Sequence, residues 1–114
     1  MKAMNACLEA AKEAQPKIEV QLIELAGKNI GPCTACGDCK QGPTCSWRDD
    51  FSELIPLMSD DSVKSIIIGT PVYFGGMTAQ CKALLDRCVL LRRNGWLLRN
   101  KVGGVLAVGG VRRN

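Results

Sequence analysis

Apolar and polar positions follow two different periods along the first half of the chain. Met1, Met4, Leu8 and Ala11 recur at helical spacing and Pro16 ends the run, which predicts a helix over residues 1–15. Ile18, Val20 and Leu22 then alternate with Glu19, Gln21 and Glu24 before the phase shifts at Ile23, which predicts a strand over 18–25. Asp50-Phe51-Ser52-Glu53 reads as a capping box opening a short helix with Phe51, Leu54 and Met58 inward. Pro56 falls inside that helix and is expected to kink or break it. Residues 63–70, VKSIIIGT, are rich in β-branched side chains and read as a strand buried on both faces. Thr78 is the expected N-cap of a long helix over 78–94, with Met77, Cys81, Leu84, Leu85, Cys88 and Leu91 as its inner stripe and Gly95 as its stop. A last buried strand is predicted near 102–109. The order is helix, strand, helix, strand, helix, strand. Such alternation predicts an α/β fold with parallel strands and right-handed crossovers.

The chain of 114 residues is long enough for one domain with a modest core. No apolar run reaches the roughly 20 residues that span a bilayer, so no membrane association is expected. Glu9 and Glu13 interrupt the N-terminal stretch where a signal peptide is purely apolar, and a cytoplasmic protein is expected. In that compartment thiols stay reduced, so clustered cysteines point to metal or redox chemistry rather than disulfides. The net charge of +4 is mild and concentrates in the C-terminal half, at Arg87, Arg92, Arg93, Arg99, Lys101, Arg112 and Arg113. A solvated helix face explains it most simply, with a docking surface for an acidic redox partner as the alternative. Nucleic acid is excluded because the basic residues are not interleaved with aromatics.

Four of the seven cysteines lie within residues 33–45. Cys33, Cys36, Cys39 and Cys45 are spaced C-x2-C-x2-C-x5-C. Two consecutive x2 gaps let one short loop bring three thiolates to three corners of a cubane cluster, and Gly42 and Pro43 then turn the chain so that Cys45 reaches the fourth. Bacterial ferredoxins open their [4Fe–4S] motif in the same way, although their fourth ligand is arranged differently. Zinc prefers two separated knuckles or mixed cysteine–histidine sets, and the chain has no histidine; zinc and uncommitted thiols remain as alternatives. Cys7, Cys81 and Cys88 fit as small apolar core residues rather than ligands.

Residues 69–76, GTPVYFGG, follow a buried strand and precede a capped helix. Ligands of doubly wound sheets bind at such carboxyl ends of strands. Pro71 stiffens the loop, its glycines permit close approach, and Tyr73 and Phe74 offer aromatic edges. An ordinary strand-to-helix loop with an aromatic latch is the competing reading.

With CTACGDCKQGPTC followed by GTPVYFGGMTAQCKALLDR, the chain resembles the iron–sulfur flavoproteins, a branch of the flavodoxin-like, NADPH-dependent FMN reductase superfamily. IEVQLIEL ahead of these motifs and AVGG after them fit the family order. The resemblance implies a flavodoxin-like three-layer sandwich with a parallel sheet, forming one partial domain over residues 1–114 with the cluster loop at 31–47. It implies a [4Fe–4S] cluster on Cys33, Cys36, Cys39 and Cys45. It also implies FMN bordered by Thr70, Pro71, Val72, Tyr73, Phe74 and Gly75, with Gly109 and Gly110 in the next flavin loop. Family members are homo-oligomers, dimers or tetramers, that pass electrons between a ferredoxin-type donor and small acceptors. Against the family pattern, the first strand with its phosphate-wrapping loop is expected to be missing, as are the final helix and strand. Met1 falls where the helix after the phosphate loop begins. In the strand order 2-1-3-4-5 the missing strand is central, between the first two predicted strands. The flavin site is therefore expected to be incomplete and the cluster loop complete. The implied function is an electron-transfer iron–sulfur flavoprotein. The alternatives are an NAD(P)H-dependent FMN or quinone reductase, and a non-catalytic metal-binding remnant that has lost flavin binding.

Overall fold

Helix α1 (Lys2–Ala14) opens the chain and ends just ahead of Pro16. None of its residues is fully buried; Met4, Leu8 and Ala11 are half-buried along one side. The computed structural model describes residues 1–110, so Arg112 and Arg113 of the basic C-terminal half lie outside the described residues. A methyl group added at Gly69 would collide with Met4 Cε, so α1 rests on the sheet at a glycine of its central strand.

The predicted strand over 18–25 does not form. Ile18, Val20 and Leu22 are 36–39% exposed, and no strand among the described residues lies beside them to supply a ladder. Alternation fits a segment to a pleated surface, but only a hydrogen-bonded neighbour makes it a strand. The residues after the phase shift matter more: Ile23 and Leu25 pack against the core.

Helix α2 (Phe51–Ser59) carries Phe51, Leu54 and Ile55 fully buried. It runs through Pro56 without a break: Met58, beyond the proline, packs against the same core as the three anchors before it, and the Asp60 amide closes the last turn on the Pro56 carbonyl at 3.1 Å. The capping box is not made. Asp50 has helical dihedrals and its carboxylate accepts from the Asn29 amide, whereas Asp49 Oδ1 accepts from the Phe51 amide at 3.1 Å.

Strand β1 (Ser65–Tyr73) is the centre of a three-stranded sheet. The two-residue strand β2 (Gly76–Met77) folds back on it as an antiparallel hairpin. Phe74 and Gly75, at φ 48° and 79°, form the two-residue turn, both in the left-handed region that such hairpins require. Thr78 then caps helix α3 (Ala79–Arg87), its hydroxyl accepting from the Cys81 amide at 3.1 Å, and α4 (Val89–Arg93) follows. The single helix predicted over 78–94 is thus divided at Cys88. That residue's amide is shared between the carbonyls of Leu84 and Leu85, and its ψ of −6° flattens the turn. Gly95, at φ 95°, ends α4 as predicted.

Strand β3 (Val102–Val108) pairs with β1 in parallel, from Ser65 opposite Val102 to Pro71 opposite Val108. The β1–α3–α4–β3 crossover makes this an α/β fold of the flavodoxin-like kind. On the side of β1 away from β3, residues 65–71 have no strand partner among the described residues, and the slot expected between two strands there lacks its other wall because 18–25 is not a strand. β1 is not buried on both faces as predicted: Ile66 and Ile68 are half-buried, while Ile67 faces solvent. The core lies instead among α2, α3, α4 and the cysteine loop, where Phe51, Leu54, Ile55, Leu84, Leu90, Leu91 and Cys39 meet.

Candidate functional site

The cysteine loop is shaped by two left-handed residues, Ala35 at φ 58° and Gly37 at φ 86°. They curl the backbone around the thiols. The Ala35 amide turns inward and donates to Cys33 Sγ at 3.4 Å. A 3₁₀ turn, Asp38–Gln41, then carries Cys39 into the core, where it is 9% exposed. Cys33 and Cys36 face solvent and Cys45 is half-buried. Cys36 Sγ lies 3.5 Å from Ser46 Oγ; that hydroxyl, followed by the Asp38 backbone, lowers the Cys36 thiol below its ordinary pKa. A lowered thiol is a readier metal ligand, because the thiolate is the binding form.

All four cysteines line one cavity of about 30 Å³, together with Arg87 and Arg93. That is room for about two waters. Among the described residues no three cysteine or acidic side chains stand close enough to one another to hold a metal ion. The donor types nonetheless suit an iron–sulfur centre: four cysteines of one loop line one cavity, with N–H groups directed at three of the sulfurs. The loop has to spread to admit a cubane. Cys81 is buried and Cys88 half-buried, both away from this cavity, in keeping with their reading as core residues. Burial pushes the Cys88 thiol up to about 11.

The wall behind the cavity is built on Arg87. Its guanidinium donates to Asp49 Oδ2 at 2.8 Å and Oδ1 at 3.0 Å, to the Gly31 carbonyl at 2.8 Å and to the Trp47 carbonyl at 3.2 Å. A weaker contact reaches Cys45 Sγ at 3.5 Å, and the cation lies over the Phe51 ring at 4.7 Å. Both side chains of the pair are almost fully buried. Burial alone would push the Asp49 carboxyl up; the Arg87 hydrogen bonds, with those from the Gly31 and Phe51 amides, outweigh it and hold the carboxyl below its usual value. Asp49, in turn, raises the Arg87 pKa.

Of the C-terminal basic residues, Arg92, Arg93 and Arg99 are exposed as expected of a solvated face, but the set is not uniform. Arg87 is buried, Arg93 donates to Cys39 Sγ, Arg92 lies over Trp96 at 5.3 Å, and Lys101 donates to the carbonyls of Asp60 and Val63. Sequence reasoning missed Asp49, Arg87 and Arg93. Arg87 had a readable signal, since it lies three positions after Leu84 and four before Leu91 on the buried stripe.

At the carboxyl ends of β1 and β3, the two predicted flavin segments come together. Pro71 is opposite Val108, and a methyl group on Gly109 would lie 3.6 Å from Val72 Cγ2. Thr70 Oγ1 accepts from the Thr78 amide at 3.2 Å, which fastens the strand end to the start of α3. Tyr73 is 65% exposed and Phe74 99%, the latter a bulky residue held at positive φ. Such strain persists where the surroundings or a ligand over-determine it. Gly75, Gly109 and Gly110 are exposed beside them. Thr78 and Arg87 stand at opposite ends of α3, about 13 Å apart at 1.5 Å per residue, so one helix joins the strand-end loop to the cysteine loop.

The NADPH-dependent FMN reductase family matches residues 2–114. An iron–sulfur flavoprotein of Methanosarcina thermophila is 42% identical over 111 residues, covering 97% of this chain and 56% of that protein. One of Methanocaldococcus jannaschii is 46% identical over 99 residues, covering 87% and 50% respectively. A protein of Geobacillus thermodenitrificans named NAD(P)H-dependent FAD/FMN reductase is 31% identical over 103 residues, covering 90% and 49%. The chain thus spans about half the length of the curated relatives it matches. No solved structure matches it. No helix among the described residues is long and apolar enough to cross a membrane. The match along nearly the whole chain, on a parallel β1–β3 pair with its crossover helices, places this chain in the NADPH-dependent FMN reductase family.

Proposed function

We propose that the protein transfers electrons between a [4Fe–4S] cluster on Cys33, Cys36, Cys39 and Cys45 and FMN at the strand ends, with electrons from a ferredoxin-type donor. The observation that carries this reading is that four cysteines of one loop line a single cavity. Two relatives named iron–sulfur flavoproteins share more than 40% of their aligned residues with the chain. When bound, the cluster would supply single-electron transfer and the flavin one- or two-electron transfer; that chemistry belongs to the cofactors. The protein's part is to hold and insulate them. The four cysteines ligate iron as thiolates, and Asp49 and Arg87 fix the loop that bears them. Thr70, Pro71, Val72, Tyr73, Phe74 and Gly75 border the flavin ring, with Gly109 and Gly110 beside it. The reading includes a homo-oligomer working in the reducing cytoplasm.

The test is a pair of substitutions. In anaerobically prepared protein, Cys36→Ser abolishes stoichiometric iron and acid-labile sulfide, whereas Cys88→Ser leaves both. Equal loss in the two variants overturns the ligand assignment. A second reading, a flavin or quinone reductase without a cluster, is favoured by the absence of any closed three-thiol group among the described residues. Flavin absorption without iron or sulfide would decide for it, and iron without flavin would decide for a metal-binding remnant.

A further inference from the structure

We propose that Arg93 raises the reduction potential of the cluster by directing a charged N–H at the Cys39 sulfur, an inference that rests on the ligand assignment above. Cys39 is the most buried of the four thiols. It is also the one gripped at both ends. Arg93 Nη1 donates to its Sγ at 3.2 Å, and Asn94 Nδ2 donates to its carbonyl at 2.9 Å and to the Leu90 carbonyl at 2.7 Å. Leu90 and Leu91, 2% and 1% exposed, bolt α4 into the core, so the last turn of that helix delivers both donors from a fixed frame.

Arg93 differs from Arg87 in one decisive respect. The Arg87 charge is matched by Asp49, and its contact with Cys45 Sγ is the longer one, at 3.5 Å. Arg93 makes no ion pair among the described residues, so no carboxylate there shares the charge that it brings to the thiol. Reduction adds one electron to a thiolate-ligated cluster, supplied by an external low-potential reductant, and makes the centre one charge more negative without transferring a proton. A fixed cation and an N–H donor at a ligand sulfur stabilise that form more than the oxidised one, which moves the couple upward. Arg93 as a residue is exposed, so salt screens part of its charge while the hydrogen bond persists.

The experiment compares wild type, Arg93→Lys, Arg93→Met and Arg92→Met after anaerobic purification. Iron and sulfide are assayed, and each protein is titrated with dithionite in the presence of mediators. The expected result is full iron and sulfide in every protein, a more negative midpoint for Arg93→Met, a smaller shift for Arg93→Lys, and none for Arg92→Met, whose native arginine lies over Trp96 and does not line the cavity of the four loop cysteines. An unchanged midpoint in Arg93→Met overturns the proposal. So does an equal shift in Arg92→Met, which would make it a matter of general charge. Loss of the cluster from both Arg93 variants with intact circular dichroism also overturns it, showing that Arg93 retains the cluster instead of tuning it. Wild type without iron and sulfide refutes the ligand assignment itself, and this inference with it.

Discussion

Asp49 and Arg87 form a two-pronged ion pair at 2.8 and 3.0 Å across 38 positions of sequence, with both side chains withdrawn from solvent. Asp49 also accepts from the amides of Gly31 and Phe51, and Arg87 also donates to the carbonyls of Gly31 and Trp47. The two residues thus hold the entry and exit of the cysteine loop against the end of α3. Arg87 Nε is left without a partner, so the cation lies deep enough to forgo one hydrogen bond.

Removing one partner strands the other in the core. Asp49→Ala and Arg87→Met are each expected to lower stability by about 3–5 kcal/mol, the usual penalty for half of a buried pair. In a chain of this size that lowers Tm by more than about 10 °C. Urea titration followed by circular dichroism measures it; losses below about 1 kcal/mol would assign the pair to the surface class.

The same pair sets a response to acid. Asp49 has its carboxyl pKa depressed on folding, so its stabilisation is fully present above the unfolded value of about 3.9 and is lost as pH falls through the lower folded value. The stability gap between wild type and Asp49→Asn is expected to be widest at neutral pH and to close below about pH 4. Denaturation midpoints taken from pH 7 to pH 2 test this, and a gap independent of pH counts against it.

Alkylation should separate the thiols of the metal-free protein. Cys36 is exposed with a lowered pKa, whereas Cys88 is held near 11, leaving about one molecule in 10⁴ as thiolate at pH 7. Iodoacetamide followed by peptide mass mapping is expected to label Cys36 well before Cys88. The reverse order would mean that the core around Cys88 opens in solution.

Gly31 is a packing test of the loop. A methyl group there would lie 2.6 Å from Trp47 Cη2 and Cζ2, so Gly31→Ala must displace the indole or the backbone that Asp49 and Arg87 grip. The expected cost is about 1–3 kcal/mol, with a changed tryptophan emission maximum. Unaltered stability and emission would show that Trp47, already 40% exposed, turns away freely.

FMN is expected to bind this 114-residue chain weakly. The segments 70–76 and 109–110 contain no lysine or arginine, and the first turn of α1 offers no hydroxyl or glycine for the phosphate. Each charge-assisted hydrogen bond foregone costs about 1.5–3 kcal/mol. Flavin fluorescence quenching measures it, and tight stoichiometric binding would place the phosphate site within these residues.

What could be read from sequence was what depends on neighbours in the chain. The β-branched run Ile66-Ile67-Ile68, the Thr78 cap and the Gly95 stop all declare themselves locally, and each is where the pattern puts it. The cysteine spacing likewise marks the loop before any fold is known. What escaped depends on partners far along the chain. Residues 18–25 have the strand pattern but no strand beside them, and Arg87 resembles any helix-surface arginine until Asp49 is brought to it from 38 positions away. The choice of Asp49 over Asp50 as acceptor for the first amide of α2 follows from the same encounter: Arg87 and the Gly31 amide orient Asp49, while the Asn29 amide donates to Asp50. The division at Cys88 has no glycine or proline to announce it.

Helix α3 is fastened at its N-cap to the carboxyl end of β1, through Thr78 and Thr70, and at its last residue to the cysteine loop, through Arg87. The two loops therefore belong to one cooperative opening unit. Fraying of α3 from either end releases a fastening, and its nine residues are too few to stay helical alone in water. Amide hydrogens of α3 and those of the cysteine loop should then exchange with a common opening free energy, so that whatever tightens one loop slows exchange in the other.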